Sequence, residues 1–367
     1  MKAMILSAGA GTRLRPLTGM IPKPMLPVIE KPVIEFIIEL LAKNGVDEMM
    51  INISHHGSLI QDYLKSGYGY GLSIGYSFEG HFENGQLIPE PYGSAGGMKK
   101  IQTDTGFFDE TFIVACGDAI IDLDIKEALE FHRASRALAT IVAKEVSIEQ
   151  VSNYGIIVSE RNGRVRSFQE KPTQAEAMST IANTGIYIFE PSVFDYIPQG
   201  QFYDIGSQLL PELVKKGECV YSFVSQIEWY DVGRSSDYIS ILGQALKGKV
   251  KGYKPSGKET APGLWLGTGA IMDISVEIAA PVHIGGMTRI GKNVKLEGPV
   301  AIGSNCEIGD NCDLCNVYVS NYTRIEAGLK ERNILLTPEY FVRSDGSSGQ
   351  IMGSQYSKYV SDTRSKK

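Results

Sequence analysis

The run Gly9-Ala10-Gly11-Thr12-Arg13-Leu14-Arg15 puts glycines and guanidinium groups into one short stretch. Main-chain N–H groups bared by glycine can wrap phosphate oxygens, and arginine adds a cation that keeps its charge. Further on, Lys23 lies between Pro22 and Pro24, which stiffen the backbone and aim its ammonium. Asp118 follows Gly117 and offers a hard carboxylate, suited to a cation or to capping a turn. The chemistry these types suit is the handling of phosphate groups. No Gly-Lys-Ser/Thr follows the glycines, so this is not a Walker loop, and the pattern is not a dinucleotide fingerprint.

Such residues need a scaffold. Ala3 to Leu6 reads as a buried strand that runs into the glycines, and Phe112 to Ala115 as a strand that runs into Gly117-Asp118. Met49 to Ile53 and Ala139 to Ala143 are strand-like. Val33 to Leu41 and Ile125 to Ser135 are helix-like, the first stopped by Asn44-Gly45. Strands alternating with helices over the first ~245 residues predict an α/β region with a mixed, mainly parallel sheet. Ligands of such sheets bind beyond the C-terminal strand ends, where the glycine loop and Asp118 both fall.

Residues 247–263 are polar and rich in Gly, Pro and Lys, and read as a linker. The texture then changes. Ile278, Ile284, Ile290, Leu296, Ile302, Ile308 and Leu314 recur every sixth residue, and Gly285, Gly291, Gly303 and Gly309 directly follow four of them. This period predicts a β-helix over 264–330, three six-residue faces to a coil. After Gly328 the pattern stops, and 331–367 is expected to be a weakly ordered tail, with Tyr340-Phe341 docking as a cap.

Composition excludes several classes. The 367 residues are 43% hydrophobic and 21% charged, with a net charge of −6, an ordinary globular make-up without a basic nucleic-acid footprint. No apolar run is long enough to span a membrane, and the N-terminus lacks a signal-peptide pattern. Cys116, Cys219, Cys306, Cys312 and Cys315 are too few and uneven for a disulfide scaffold. The expectation is a cytoplasmic protein with reduced thiols. Cys312 falls on the inward column of the repeats, so Cys312-x-x-Cys315 reads as packing rather than as a zinc site.

Six motifs appear together and in order: Gly9 to Thr18, Pro22 to Met25, Gly117-Asp118, Glu170-Lys171-Pro172, Asn183 to Tyr187, and Trp229 to Gly233. In these the chain resembles the sugar-1-phosphate nucleotidyltransferases, over most of its first ~245 residues. The hexapeptide repeats resemble the left-handed β-helix that several members carry. The resemblance implies a Rossmann-like catalytic domain over 1–246. It further implies transfer of a nucleotidyl group from a nucleoside triphosphate to a sugar 1-phosphate, with release of pyrophosphate. It also implies roles. Ala8, Gly9, Gly11, Thr12 and Arg13 would hold the triphosphate, Arg13 on the side of the departing pyrophosphate. Lys23 would contact the α-phosphate and the attacking phosphate. Asp118 and Asp231 would ligate Mg²⁺. Gly93 and Ser94 match the nucleoside loop, and Tyr154, Gly155, Glu170, Lys171 and Asn183 the sugar-phosphate pocket.

Ile88 stands five residues before Gly93, where many pyrimidine-reading members have Gln and guanylyl-type members often have Glu. Isoleucine cannot accept from the N–H groups of guanine, although Glu90 lies nearby. The runs Tyr76 to Gly80, Gly93 to Gly97 and Phe168 to Pro172 look most like the cyanobacterial-type UDP-glucose pyrophosphorylases. These are close in sequence to mannose-1-phosphate guanylyltransferases. The expected substrates are UTP and glucose 1-phosphate, with GTP and mannose 1-phosphate as the alternative. A non-catalytic regulatory subunit is the alternative of another class. The β-helix is expected to make homo-oligomer contacts, and no nucleic-acid or membrane partner is expected.

Overall fold

The computed structural model describes residues 1–84 and 86–365. The chain forms two compact units. The first comprises Met1–Gly11, Met20–Met25 and Val33–Trp229, and the second Thr12–Gly19, Leu26–Pro32 and Tyr230–Lys367. The expected boundary at 246 is therefore not where the units divide: helix Ser235–Leu246 and two N-terminal loops belong with the β-helix.

The first unit is built on nine strands: β1 (Lys2–Leu6), β2 (Glu48–Ile53), β3 (Ser73–Phe78), β4 (Phe112–Cys116), β5 (Ala139–Glu145), β6 (Gly155–Ser159), β7 (Val165–Glu170), β8 (Ile181–Phe189) and β9 (Val220–Val224). They form one mixed sheet in the order β7-β6-β8-β4-β1-β2-β3, with β5 pairing β8 and β9. β4, β1, β2 and β3 run parallel. Hydrophobic clusters form on both faces of the sheet because the central strands are apolar throughout: Ala3 and Ile5 enter one cluster, Met4 the other. Helices α1 (Val33–Lys43), α2 (Gly57–Leu64), α3 (Ser94–Thr105) and α4 (Ile125–Ala134) supply the crossovers and their apolar faces. The Asp124 carboxylate caps α4 by accepting from the backbone N–H groups of Lys126 and Glu127.

In the second unit the repeats form a β-helix. Leu264, Val282 and Val300 stack in parallel register, as do Leu296 and Leu314. The coil is 18 residues long, as the ladder bond from Asn293 Nδ2 to Asn311 Oδ1 shows. Asn293, Asn305 and Asn311 hold the left-handed backbone that the corners require, a conformation asparagine tolerates. Cys306 and Cys312 are buried in the column, and all five cysteines are free.

The tail is not weakly ordered. The β-helix continues with coils one residue shorter, so that Asn316 pairs with Asn333 at a spacing of 17 and Ile302, Val319 and Leu336 stack at the same spacing. Strand Lys330–Leu336 then pairs with Tyr340–Arg343, which pairs with Ser348–Gln350. The next inward ladder position falls on Glu331, opposite Leu314. Its carboxylate is met by Tyr356 OH at 2.9 Å and Arg343 Nη2 at 3.3 Å. Tyr356, only 1% exposed, closes the column together with Ile351 and Val360. The charge of Glu331 hides the repeat from a hydrophobic pattern, and the tail neutralises it. Lys366 and Lys367 lie outside the described residues.

Candidate functional site

The parallel register aligns Leu6 with Asn52 and with Cys116, so the loops after β1 and β4 leave the same edge of the sheet. The first loop is pinned at its root. Leu6 O accepts from Gly117 N at 3.0 Å, and Ser7 N donates to Asn52 Oδ1 at 2.7 Å. A side chain at Gly117 would press to 2.6 Å from Ser7 Oγ, so glycine there is a packing requirement. Gly9 differs. It is exposed, and a Cβ added to it would meet nothing within 4 Å. The protein's own packing does not demand that glycine, whereas close approach of a bound anion would. Ala8 is half-buried and Ala10 exposed in the same loop, and Gly11 has φ 60°.

Lys23 opens a 3-10 turn, Lys23–Met25, closed by Met25 N donating to Pro22 O at 2.8 Å. Its ammonium lies 2.6 Å from Asp118 Oδ2, the two side chains being 12% and 29% exposed. The structure thus brings together the lysine that prolines were expected to aim and the carboxylate beyond β4. Among the described residues no cluster of three or more His, Cys, Asp or Glu side chains could cage a metal. One hard carboxylate beside a cation fits a divalent ion held chiefly by substrate phosphates.

The loop at Gly93-Ser94 opens α3. Gly93 has φ 74°, and a Cβ there would lie 2.6 Å from Tyr203 O. Ala95 N and Gly96 N both donate to that carbonyl, which fixes the loop against 201–205. The Ser94 hydroxyl donates to Asp204 Oδ2 at 2.8 Å and accepts from Ile205 N at 2.7 Å. Its proton is therefore committed within the protein, and Ser94 anchors the loop. Glu90, which lies near in sequence to the position that would read guanine, pairs at 3.0 Å with His81, and Ile88 is half-buried.

β6–β7 register sets Gly155 opposite Glu170. Lys171 takes φ 46°, and its N–H donates to Tyr154 O at 3.1 Å. Lys171 Nζ meets Glu170 Oε1 at 3.0 Å; both side chains are exposed, so opening the pair for a ligand costs about 1 kcal/mol or less. The Tyr154 ring packs against Trp229 with centroids 4.7 Å apart. Asn183 precedes a bulge where β5 and β8 shift register. Its Oδ1 accepts from Gly185 N at 3.0 Å and its Nδ2 donates to Tyr187 OH at 2.9 Å. The bulge needs Gly185, with φ 79°, because a Cβ would lie 2.7 Å from Cys116 Sγ.

Thr12, Arg13 and Asp231 belong to the second unit. Thr12 and Arg13 are exposed on the turn Thr12–Leu14, which buried Leu14 and Leu17 anchor. Asp231 is half-buried, and a Cβ at Gly233 would lie 3.0 Å from its Oδ2.

Two residues escaped the sequence reading. Asn52 and Glu79, each 3% exposed, are hydrogen-bonded at 2.7 Å beneath the loops. Burial pushes the Glu79 carboxyl above its ordinary range, while Asn52, the Tyr92 N–H and the charge of Lys100 oppose that rise. A polar residue inside the apolar run before Ile53 and a carboxylate directly after Phe78 were the available signal.

The Nucleotidyl transferase family matches residues 2–248, and the chain belongs to that family. It is 44% identical over 365 residues to the UTP–glucose-1-phosphate uridylyltransferase of Synechocystis, covering 99% of this chain and 94% of that protein. It is 30% identical over 295 residues to the mannose-1-phosphate guanylyltransferase of Mycobacterium tuberculosis, 77% of this chain and 78% of the relative. The crystal structure of a UDP-glucose pyrophosphorylase complexed with UDP-glucose matches with a TM-score of 0.55 at 24% identity. That match covers 67% of this chain and 98% of the other, and shows the shared fold. No helix among the described residues is long and apolar enough to cross a membrane.

Proposed function

We propose that the protein transfers the uridylyl group of UTP to glucose 1-phosphate, giving UDP-glucose and pyrophosphate. The observation that carries this reading is the 44% identity to a uridylyltransferase across 99% of the chain. A phosphate oxygen of the sugar phosphate attacks the α-phosphorus in line. The bond from that phosphorus to the bridging oxygen of the β-phosphate breaks, and pyrophosphate leaves with the electron pair. The protein's task is to hold two anions in contact and to stabilise the added charge.

In this reading Ala8, Gly9 and Gly11 present main-chain N–H groups to the triphosphate, and Lys23 turns from Asp118 to the reacting phosphates. Mg²⁺, when bound, neutralises phosphate charge, and Asp118 offers it a hard oxygen. Arg13 and Asp231 keep the roles the family resemblance implies, on the pyrophosphate side and as a metal ligand. Tyr154, Gly155, Glu170, Lys171 and Asn183 serve the sugar phosphate. Ile88 leaves the base to be read by backbone groups, which suits uracil. Oligomer contacts through the β-helix, and a place in the cytoplasm, belong to the same proposal.

The test offers the purified chain, with Mg²⁺, five nucleoside triphosphates against glucose 1-phosphate and mannose 1-phosphate, and follows pyrophosphate release. Turnover with UTP and glucose 1-phosphate is expected. Turnover only with GTP and mannose 1-phosphate would overturn the substrate pair. Silence in every combination would favour the regulatory-subunit reading.

A further inference from the structure

Three buried groups join loops that are far apart in sequence. Ser7 N donates to Asn52 Oδ1 at 2.7 Å, and Asn52 Nδ2 donates to Glu79 Oε1 at 2.7 Å. The other carboxylate oxygen of Glu79 accepts from Tyr92 N at 3.2 Å. One end of this chain is the root of the glycine loop, and the other is the residue before Gly93. The third side is α3. A Cβ at Gly97 would lie 2.4 Å from Glu79 Oε1 and 3.2 Å from Asn52 Nδ2, so the helix carries glycine where the carboxylate comes up to it. The Glu79 main chain ties the same segments again, its N–H donating to Ile53 O at 2.8 Å and its C=O accepting from Glu90 N at 3.1 Å.

We infer that Glu79, acting through Asn52 and the Tyr92 N–H, is a positioning residue that sets the phosphate loop and the nucleoside loop in one fixed register. The inference rests on the proposed uridylyl transfer for its kinetic consequence, though not for its structural one. Polarity makes the arrangement specific. Donors approach the carboxylate from both ends, and only a group with two acceptor oxygens satisfies both. An amide at position 79 turns a donor toward Asn52 Nδ2 or toward Tyr92 N and leaves one buried N–H without an acceptor. Rotating the Asn52 amide gives no relief, because its Nδ2 would then face Ser7 N. Exchanging the two side-chain types does. With Asn52→Asp and Glu79→Gln together, the carboxylate at position 52 accepts from Ser7 N and from the amide at position 79, whose oxygen accepts from Tyr92 N. The charge moves to the neighbouring group in the chain, and every hydrogen bond returns.

The experiment compares wild type, Glu79→Gln, Asn52→Asp and the double variant Asn52→Asp/Glu79→Gln as full-length protein. It reads kcat and KM for UTP and for glucose 1-phosphate with Mg²⁺, and the amide exchange rates of Ser7 and Tyr92. Glu79→Gln is expected to raise KM for UTP at least tenfold, with a smaller change for glucose 1-phosphate, and to speed both amides at least tenfold. Asn52→Asp sets two carboxylates in contact, with Lys100 of α3 the charged group acting on Glu79, and they must share a proton. Its kcat/KM should therefore improve, relative to wild type, as pH falls. The double variant should return within threefold of wild type in KM and exchange.

Unchanged KM and exchange in Glu79→Gln would overturn the inference, as would a folded double variant no better than the singles. If Glu79→Gln does not fold, a double variant that folds supports the polarity argument. If no variant folds, the wild type still decides: Ser7 and Tyr92 should exchange at a common slow rate, and independent rates would refute the link. If the wild type turns over no substrate pair, the proposed function falls, while the exchange arm still decides the link.

Discussion

Replacing Asp118 by Asn separates a structural role from a chemical one, because the two predict different magnitudes. Lys23 Nζ lies 2.6 Å from Asp118 Oδ2, with the side chains 12% and 29% exposed. Partly exposed ion pairs of this kind contribute about 1 kcal/mol or less. Asparagine keeps an oxygen for Lys23, so the stability loss should lie at the low end. A loss of about 1 kcal/mol moves the Tm of a chain this long by only about 2 °C. Turnover is another matter. If Asp118 helps balance charge around the reacting phosphates, its removal resembles deletion of one preorganised electrostatic group, which costs about 10²–10³ in kcat. Pyrophosphate release with UTP and glucose 1-phosphate at saturating Mg²⁺ measures one quantity, and a thermal melt the other. The expected variant is folded and at least a hundredfold slower. A variant with wild-type kcat would refute the assignment of Asp118 to the chemistry and leave it as the partner of Lys23.

Gly93→Ala forces a Cβ to within 2.6 Å of Tyr203 O in a backbone with φ 74°. Strain at such a position costs about 1–3 kcal/mol, so urea denaturation should show that loss, with a raised KM for UTP. Tyr356→Ala empties a 1% exposed position at the end of the β-helix column and leaves Glu331 with one fewer donor. A loss of about 3–5 kcal/mol is expected from the missing ring, read as earlier urea unfolding. His132 and His283, each 1% exposed, have imidazoles held below their ordinary value by burial. The unfolded chain takes up these protons near pH 6.5, and the folded chain only at lower pH. Between those values the unfolded state binds more protons, so stability falls as pH falls. Urea titrations between pH 7.5 and about 5 should show a slope that His283→Gln reduces, and an unchanged slope would reject the assignment of His283.

Local chemistry was legible where one residue type suffices. The glycines beside β1, the prolines around Lys23 and the six-residue period each state their requirement without reference to a distant partner. The structure bears out the β-helix from that period and the mixed sheet from the alternation of strands and helices. What the sequence concealed depends on pairing across the fold. That the Ser94 hydroxyl anchors its loop is invisible locally because its partner Asp204 is 110 positions away. Nothing local shows that Asn52 and Glu79 meet. The order of the tail is hidden for a third reason. A hydrophobic period detects a β-helix only while inward positions are apolar and every corner has the same length. One residue lost after Leu314 breaks the phase, and Glu331 then stands where an aliphatic residue was due. A buried-facing carboxylate needs donors from elsewhere, and Arg343 and Tyr356 can supply them only if the segment beyond the repeats folds back. The same residue that ends the visible pattern therefore requires an ordered cap, and a charged inward position at the end of a repeat array is itself a signal that the following segment is structured.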